Sequence, residues 1–239
     1  MQRDSCLIAQ FDRIVPLTDH EKELLSSLEK DAREYSAGTV LVSEAEKAGN
    51  FYSLRSGWAC ASQLQKDGSR QIIDIFISGQ IMGLREVGLL RAHATIETMT
   101  DVVACPFPRN RLSEVFAESR RLAVLFFLVL AQNHAILSQR LSNIGNKSSA
   151  ARLAHFILET RARLYIEDPS FEFPLNQTII GDALGITSVH VSRVVKDLTS
   201  RGLIRQEGSQ LTIVDTEGLA RLAEFSTDYL EMRADLMLP

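Results

Sequence analysis

The stretch from Pro174 to Arg205, PLNQTIIGDALGITSVHVSRVVKDLTSRGLIR, constrains this chain most, because its spacing favours one compact arrangement over others. Asn176 can cap a first helix of about eight residues carrying Ile180, Ala183 and Leu184 on one face, and Gly185 can end it in the left-handed conformation. Thr187 can cap a second helix in which Val191, Val194, Val195 and Leu198 recur at helical spacing, so that face packs on the first helix. Gly181 falls inside the first helix, where glycine costs roughly 1 kcal/mol relative to alanine. A close crossing of the two helices accounts for it, since a side chain there would hold them apart. The competing arrangement is an ordinary antiparallel helix pair with a solvated basic face. A small residue, a turn glycine four positions on and apolar residues in register in both helices jointly favour the helix-turn-helix.

Rotation by about 100° per residue places Val189, Ser192, Arg193 and Lys196 opposite the buried Val191 and Val194. Ser188 and Val189 lie at the N-terminal end of that face, where recognition helices reach base edges in the major groove. The expected DNA contacts are therefore Ser188, Val189, Ser192, Arg193 and Lys196, with Asn176, Gln177, Thr187, His190 and Arg201 around them. Between Ser188 and Gln206 four basic side chains face one acid, a balance of +3 in a chain of net charge −4. After Gly202, Leu203 to Gln206, the Glu207-Gly208-Ser209 turn and Leu211 to Val214 read as a two-stranded wing.

The whole chain has 239 residues, 45% hydrophobic and 23% charged, enough for two domains with a core each. Its longest uninterrupted apolar run, Ala123 to Ala131, covers nine residues, against the ~18 of a membrane span. The N-terminus, MQRDSCLIAQFDRIV, lacks the continuous apolar segment and cleavage site of a signal peptide, so a cytoplasmic protein with no membrane partner is expected. Cys6, Cys60 and Cys105 are odd in number and have no metal-like spacing, which fits reduced thiols and no metal. The five histidines, His20, His93, His134, His155 and His190, fall in different elements, and no nucleophile-elbow, phosphate-loop or zinc spacing occurs, so no enzyme is expected.

Ahead of the helix-turn-helix, a short helix from about Pro16 to Leu28, capped by Thr18 or Asp19, leads into a glycine-punctuated segment. Thr39 to Val42, Phe51 to Leu54, Ala59 to Leu64, Gln71 to Ile77 and Ile96 to Thr100 read as short strands, with Asp67-Gly68 as the clearest hairpin turn. Such spacing argues a barrel or jelly roll ending near Pro108. A long helical stretch follows, from about Arg109 to Asn146, with a break near Glu118-Ser119. Leu122, Leu125, Val129, Ile136 and Asn143 make one stripe, and Leu130, Leu137, Leu141 and Ile144 another. One can pack on the roll and the other on a second subunit; Leu122, Leu125, Val129 and Ile136 are the expected dimer contacts. Residues 145 to 149 read as a hinge, Ala150 to Ile166 as a supporting helix and Glu217 to Arg233 as a last helix. The expected fold class is α+β, divided into a roll over 1–117, a dimerisation helix over 118–146 and a winged helix-turn-helix over 147–239.

That order resembles the Crp/Fnr superfamily of bacterial transcription regulators over nearly the whole chain. The most specific matches are Asp67-Gly68-Ser69-Arg70-Gln71-Ile72, Gly79 with Gly83, and Leu184 to Arg193. The resemblance implies a cyclic-nucleotide-binding-like β-roll, a homodimer, double-stranded DNA with an inverted repeat as ligand, RNA polymerase as a partner, and an effector pocket at Gly83, Leu84, Arg85, Glu86, Arg91, Ala92 and His93. Relatives that bind cyclic AMP carry a Gly-Glu pair for the ribose and an Arg followed by Ser or Ala for the phosphate. Here Gly83 is followed by Leu84, and sliding Glu86 into the ribose position leaves Arg91-Ala92 about one residue out of place, so cyclic AMP is not the expected effector and the true one is unidentified. Iron–sulphur sensing in the family needs four cysteine ligands, and this chain has three. In well-known members an Arg and a Glu stand where Ser188 and Val189 stand here, which leaves Arg193 to read guanine and implies a different operator. The alternative function is a small-ligand sensor whose helix-turn-helix serves protein contact.

Overall fold

The computed structural model describes residues 5–47 and 49–237; the remaining positions of the expected signal-peptide-free N-terminus and of the 1–117 and 147–239 divisions lie outside them. Contacts divide the chain into two units. The first holds residues up to Leu64, Ile73–Asn133 and Met232 onward; the second holds Gln65–Ile72 and His134–Glu231.

In the first unit, α1 (Cys6–Ile14) was not foreseen from sequence, and α2 (Asp19–Leu28) begins where Thr18 accepts from the Glu21 N–H while the Glu21 carboxylate takes the Thr18 N–H at 2.9 Å. That reciprocal cap satisfies donors the helix itself cannot. Eight strands follow among the described residues: β1 (Arg33–Tyr35), β2 (Val40–Val42), β3 (Asn50–Ser56), β4 (Ala59–Leu64), β5 (Arg70–Phe76), β6 (Ile81–Met82), β7 (Thr95–Thr98) and β8 (Val102–Pro108). They form two four-stranded sheets, ordered β1-β8-β3-β6 and β2-β7-β4-β5, with antiparallel registers such as Phe51↔Phe107 and Cys60↔Glu97. Leu54, Ala61, Phe76, Met82 and Ile96 belong to one core cluster drawn from both sheets, as face-to-face packing requires. The Asp67-Gly68 turn, which belongs to the second unit, has Gly68 at φ +86 and the Asp67 carboxylate accepting from the Ser69 N–H at 2.9 Å.

The helical stretch after the roll breaks where expected. Helix α3 (Arg109–Glu118) ends at Ser119, whose extended backbone (φ −136, ψ 102) interrupts the helix, and whose Oγ accepts from the Leu122 N–H at 3.1 Å to start α4 (Arg120–Asn146). Leu122, Leu125 and Val129 join Leu7, Phe11, Leu25 and Phe51 in a second core cluster. This corrects the expected dimer contacts: Leu122, Leu125, Val129 and Ile136 are 0, 0, 5 and 2% exposed within one chain. The face left open carries Phe127, Leu137, Leu141 and Ile144, with Leu141 71% exposed. Helix α4 also corrects the membrane argument, since by length and composition it is apolar enough to cross a bilayer, at a mean hydropathy of 1.6 in its most apolar window. Gln132, Asn133 and His134 interrupt the continuous run without outweighing it. Its Leu122, Leu125 and Phe126 side is spent on the core of the first unit.

In the second unit, α4 continues through Gly145, which narrows the hinge to Lys147 and Ser148; the Ser148 Oγ then caps α5 (Ser149–Arg163) by accepting from the Ala151 N–H at 3.2 Å. Strand β9 (Ser170–Glu172), missed from sequence, precedes α6 (Gln177–Leu184), α7 (Ser188–Ser200), β10 (Ile204–Glu207), β11 (Gln210–Ile213) and α8 (Thr216–Ala223). The last helix is thus shorter than the 217–233 expected. Glu224 turns left-handed at φ +46, and the Ser226 Oγ accepts from the Asp228 N–H at 3.2 Å, a local alternative to helical bonding. The Arg70 guanidinium meets the Asp182 carboxylate at 2.9 Å, and the Gln71 side-chain amide donates to the Asp182 carbonyl at 2.7 Å.

Candidate nucleic-acid interface

Three of the four helix ends in the helix-turn-helix are fixed by local devices legible in their residues. The Asn176 carboxamide oxygen accepts from the Ile179 N–H at 2.9 Å, Gly185 ends α6 at φ +66, and the Thr187 hydroxyl accepts from the His190 N–H at 3.2 Å. Between the helices, Ile180, Ala183 and Leu184 of α6 and Val191, Val194 and Leu198 of α7 are buried. Gly181 sets how close they come, because a Cβ there would lie 2.5 Å from the Ile186 carbonyl oxygen. The turn is tied at the same point, with the Ile186 N–H donating to the Gly181 carbonyl at 3.1 Å.

This packing leaves one face of α7 open. Val189 is 61% exposed, and His190, Arg193 and Lys196 are exposed too, while Ser188 and Ser192 are half-buried at its edge. Among the described residues Arg193 and Lys196 make no ion pair, so their charge is available to a ligand. Arg201 differs, lying 3.3 Å from Asp197 one turn back. Asn176 and Gln177 are exposed at the start of α6, where N–H groups unsatisfied by the helix suit a phosphate. The wing is a three-stranded antiparallel sheet, ordered β10-β11-β9, with Arg205↔Thr212 and Leu211↔Phe171 in register and Gly208 at φ +59 in its turn. The third strand escaped sequence reading because Ser170-Phe171-Glu172 is too short for an alternation signal to stand out.

In the roll, Gly83 at φ +86 leads into a single 3-10 turn, Leu84–Glu86. The buried Glu86 carboxylate accepts from the His93 N–H at 2.9 Å and the Ala94 N–H at 3.2 Å. Arg85 pairs with the buried Asp74, and the Arg91 guanidinium donates to the Ala45 carbonyl at 2.8 Å. The structure therefore gathers Gly83 to His93, Ala92 included, with the carboxylate and both guanidinia already engaged within the chain. Cys60 and Cys105 are buried and Cys6 is half-buried; burial, seconded by the Glu29 charge, pushes the Cys105 thiol up to about 11, which keeps it protonated.

A Crp-like helix-turn-helix domain matches residues 151–222, and a cyclic nucleotide-binding domain matches residues 32–119. The chain belongs to the Crp/Fnr family. It is a transcription regulator with a helix-turn-helix DNA-binding domain. Among its relatives, the transcriptional activator protein FnrA of Stutzerimonas stutzeri is 23% identical over 226 residues, covering 93% of each chain. The fumarate and nitrate reduction regulatory protein of Escherichia coli K12 is 21% identical over 221 residues, 91% of this chain and 88% of that one. In structure, FixK2 from Bradyrhizobium japonicum superposes with a TM-score of 0.75 at 23% identity, over 82% of this chain and 98% of that one.

Proposed function

We propose that this Crp/Fnr regulator is a cytoplasmic homodimer that reads an inverted repeat by placing α7 of each subunit in the major groove, with no catalytic role. The observation that carries this reading is the open face of α7, where Val189 is exposed and Arg193 and Lys196 make no ion pair among the described residues, beside a capped helix start. Val189 can contact a thymine methyl group, Ser188 and Ser192 can bond base edges, and Arg193 can take guanine through two donors at once. Lys196, Arg201, Asn176 and Gln177 grip phosphates, which position the protein without reading sequence. The partner subunit lies along Phe127, Leu137, Leu141 and Ile144, exposed apolar residues that fall near heptad spacing on α4. The division into a roll over 1–117, a dimer helix over 118–146 and a reading head over 147–239 follows from that use of the helix.

The roll carries the effector pocket at Gly83, Leu84, Arg85, Glu86, Arg91, Ala92 and His93. Its ligand is not cyclic AMP, because Glu86 serves the His93 and Ala94 amides and Arg91 serves Ala45. The bound dimer acts on RNA polymerase.

Selection of duplexes from random DNA yields the operator; comparing Arg193→Ala with Lys196→Ala on it tests the assignment. Arg193→Ala loses roughly 1–3 kcal/mol of discrimination per half-site, concentrated at one G·C pair. Lys196→Ala weakens all sequences alike and reduces the salt slope by about one. Equal, sequence-independent losses for both variants overturn the base-reading role of Arg193.

A further inference from the structure

The helix-turn-helix match ends at residue 222, yet the chain just past it makes several close contacts in the second unit. Glu224, left-handed at φ +46, folds the chain back so that the Phe225 N–H donates to the Ala220 carbonyl at 3.1 Å. The Phe225 ring then meets His155 edge-on at 5.1 Å, and the Tyr229 ring stacks on the same imidazole at 5.9 Å. The Tyr229 hydroxyl donates to one oxygen of Glu159 at 3.1 Å. Arg140 of α4 holds the other oxygen through Nε at 3.1 Å and a terminal nitrogen at 2.6 Å. Glu159 and His155 are 1 and 2% exposed, so these are interior contacts. At the hinge itself, Lys147 donates to the Ala223 carbonyl and stands 3.8 Å from the Glu224 carboxylate.

The geometry points to the segment Glu224–Tyr229 as a clamp that fixes the angle between the end of α4 and α5, with Tyr229 as the positioning residue. Three consecutive pieces of chain are tied to it: α4 through Arg140 and Glu159, the hinge through Lys147, and α5 through His155 and Glu159. A charged pair held by a third hydrogen bond has few alternative geometries, because moving any member leaves a buried charge short of partners. Lys147 and Ser148 are the two residues between α4 and α5, and the clamp closes over that pair. Holding this angle fixes where each reading helix of a dimer sits, and hence which half-site spacing it accepts. That last step rests on the DNA-binding reading above; the clamp itself does not.

Hydrogen exchange on the full-length chain, wild type against Tyr229→Phe, tests it. Removing the hydroxyl alone keeps the ring on His155, so the fold survives. Amides of residues 143–150 should exchange at least tenfold faster while those of α7 keep their rates. Unchanged rates at 143–150, or equal acceleration everywhere, overturn the clamp. On duplexes whose half-sites are moved apart by one base pair, the variant should lose at least threefold of the wild-type discrimination at unchanged affinity for the selected site. Undiminished discrimination overturns the positioning role. If the wild type binds no duplex, the DNA-binding reading fails and the exchange rates still decide the clamp.

Discussion

Replacing Gly181 with alanine puts a methyl group where the turn already runs. The added Cβ would stand 2.5 Å from the Ile186 carbonyl oxygen and 3.4 Å from the Ser188 nitrogen, both backbone atoms. A side chain in its place could rotate away; this obstacle moves only if Ile186 to Ser188, the run that starts α7, moves with it. Two effects oppose. Alanine gains roughly 1 kcal/mol of helix propensity over glycine, and overpacking costs typically 1–3 kcal/mol, at the upper end when backbone must shift. The net is a loss of about 1–2 kcal/mol, a fall in Tm of roughly 2–8 °C for a chain of this size. Gly145→Ala supplies the control, because Gly145 is also helical but its Cβ would meet nothing within 4 Å. That variant should gain up to ~1 kcal/mol. Thermal denaturation of the two variants beside the wild type therefore gives shifts of opposite sign. A Gly181→Ala protein as stable as the wild type would refute the reasoning, since the crossing would then have room to spare.

Leu141→Glu, at a position 71% exposed on α4, should convert a dimer into a 26.6 kDa species in sedimentation; Gln132→Glu, off the exposed apolar stripe, should not, and dissociation by both would point to a general charge effect. Burial holds His155 down to about 4, with Lys147 and Arg140 adding to the depression and Glu159 opposing it. An unfolded chain takes that proton near pH 6.5, so stability is full above about pH 6.5 and falls as pH drops toward 4, by up to about 3 kcal/mol. Tm measured from pH 7.5 to 4.5 should decline less in His155→Phe than in the wild type, and parallel declines would remove His155 from the account.

Much of this molecule was legible because its local devices are short-range. Asn176, Thr187 and Gly185 declare the ends of α6 and α7 within three residues of where they act, and Ser119 marks the break between α3 and α4 in the same way. Assignment of helix faces to partners was harder. Leu122 and Leu141 both sit on apolar stripes of one helix, and periodicity cannot tell which stripe the chain itself covers; the α1 and α2 side chains that claim Leu122 are about a hundred residues away in sequence. The pocket in the roll posed the same difficulty. Residue types showed Glu86 near Arg91, but the partners each had taken, two amides and a carbonyl, depend on strand register. The segment beyond α8 gave no signal of its own because Tyr229 bonds Glu159, seventy residues back.

The distribution of charge adds a sense of direction to the chain before anything is touched. Ser188 to Gln206 carries +3 in a protein of net charge −4, which leaves −7 for the remainder. Near a polyanion such a molecule feels a torque as well as a force: the basic segment is drawn in while the rest is pushed back, so approaches in the wrong orientation are turned aside. At physiological salt the field fades over about 8 Å, and the turning is therefore confined to the last moments of an encounter. Capture is quickened for the productive orientation alone, and release from a poor site is helped by the same repulsion that aligned the approach.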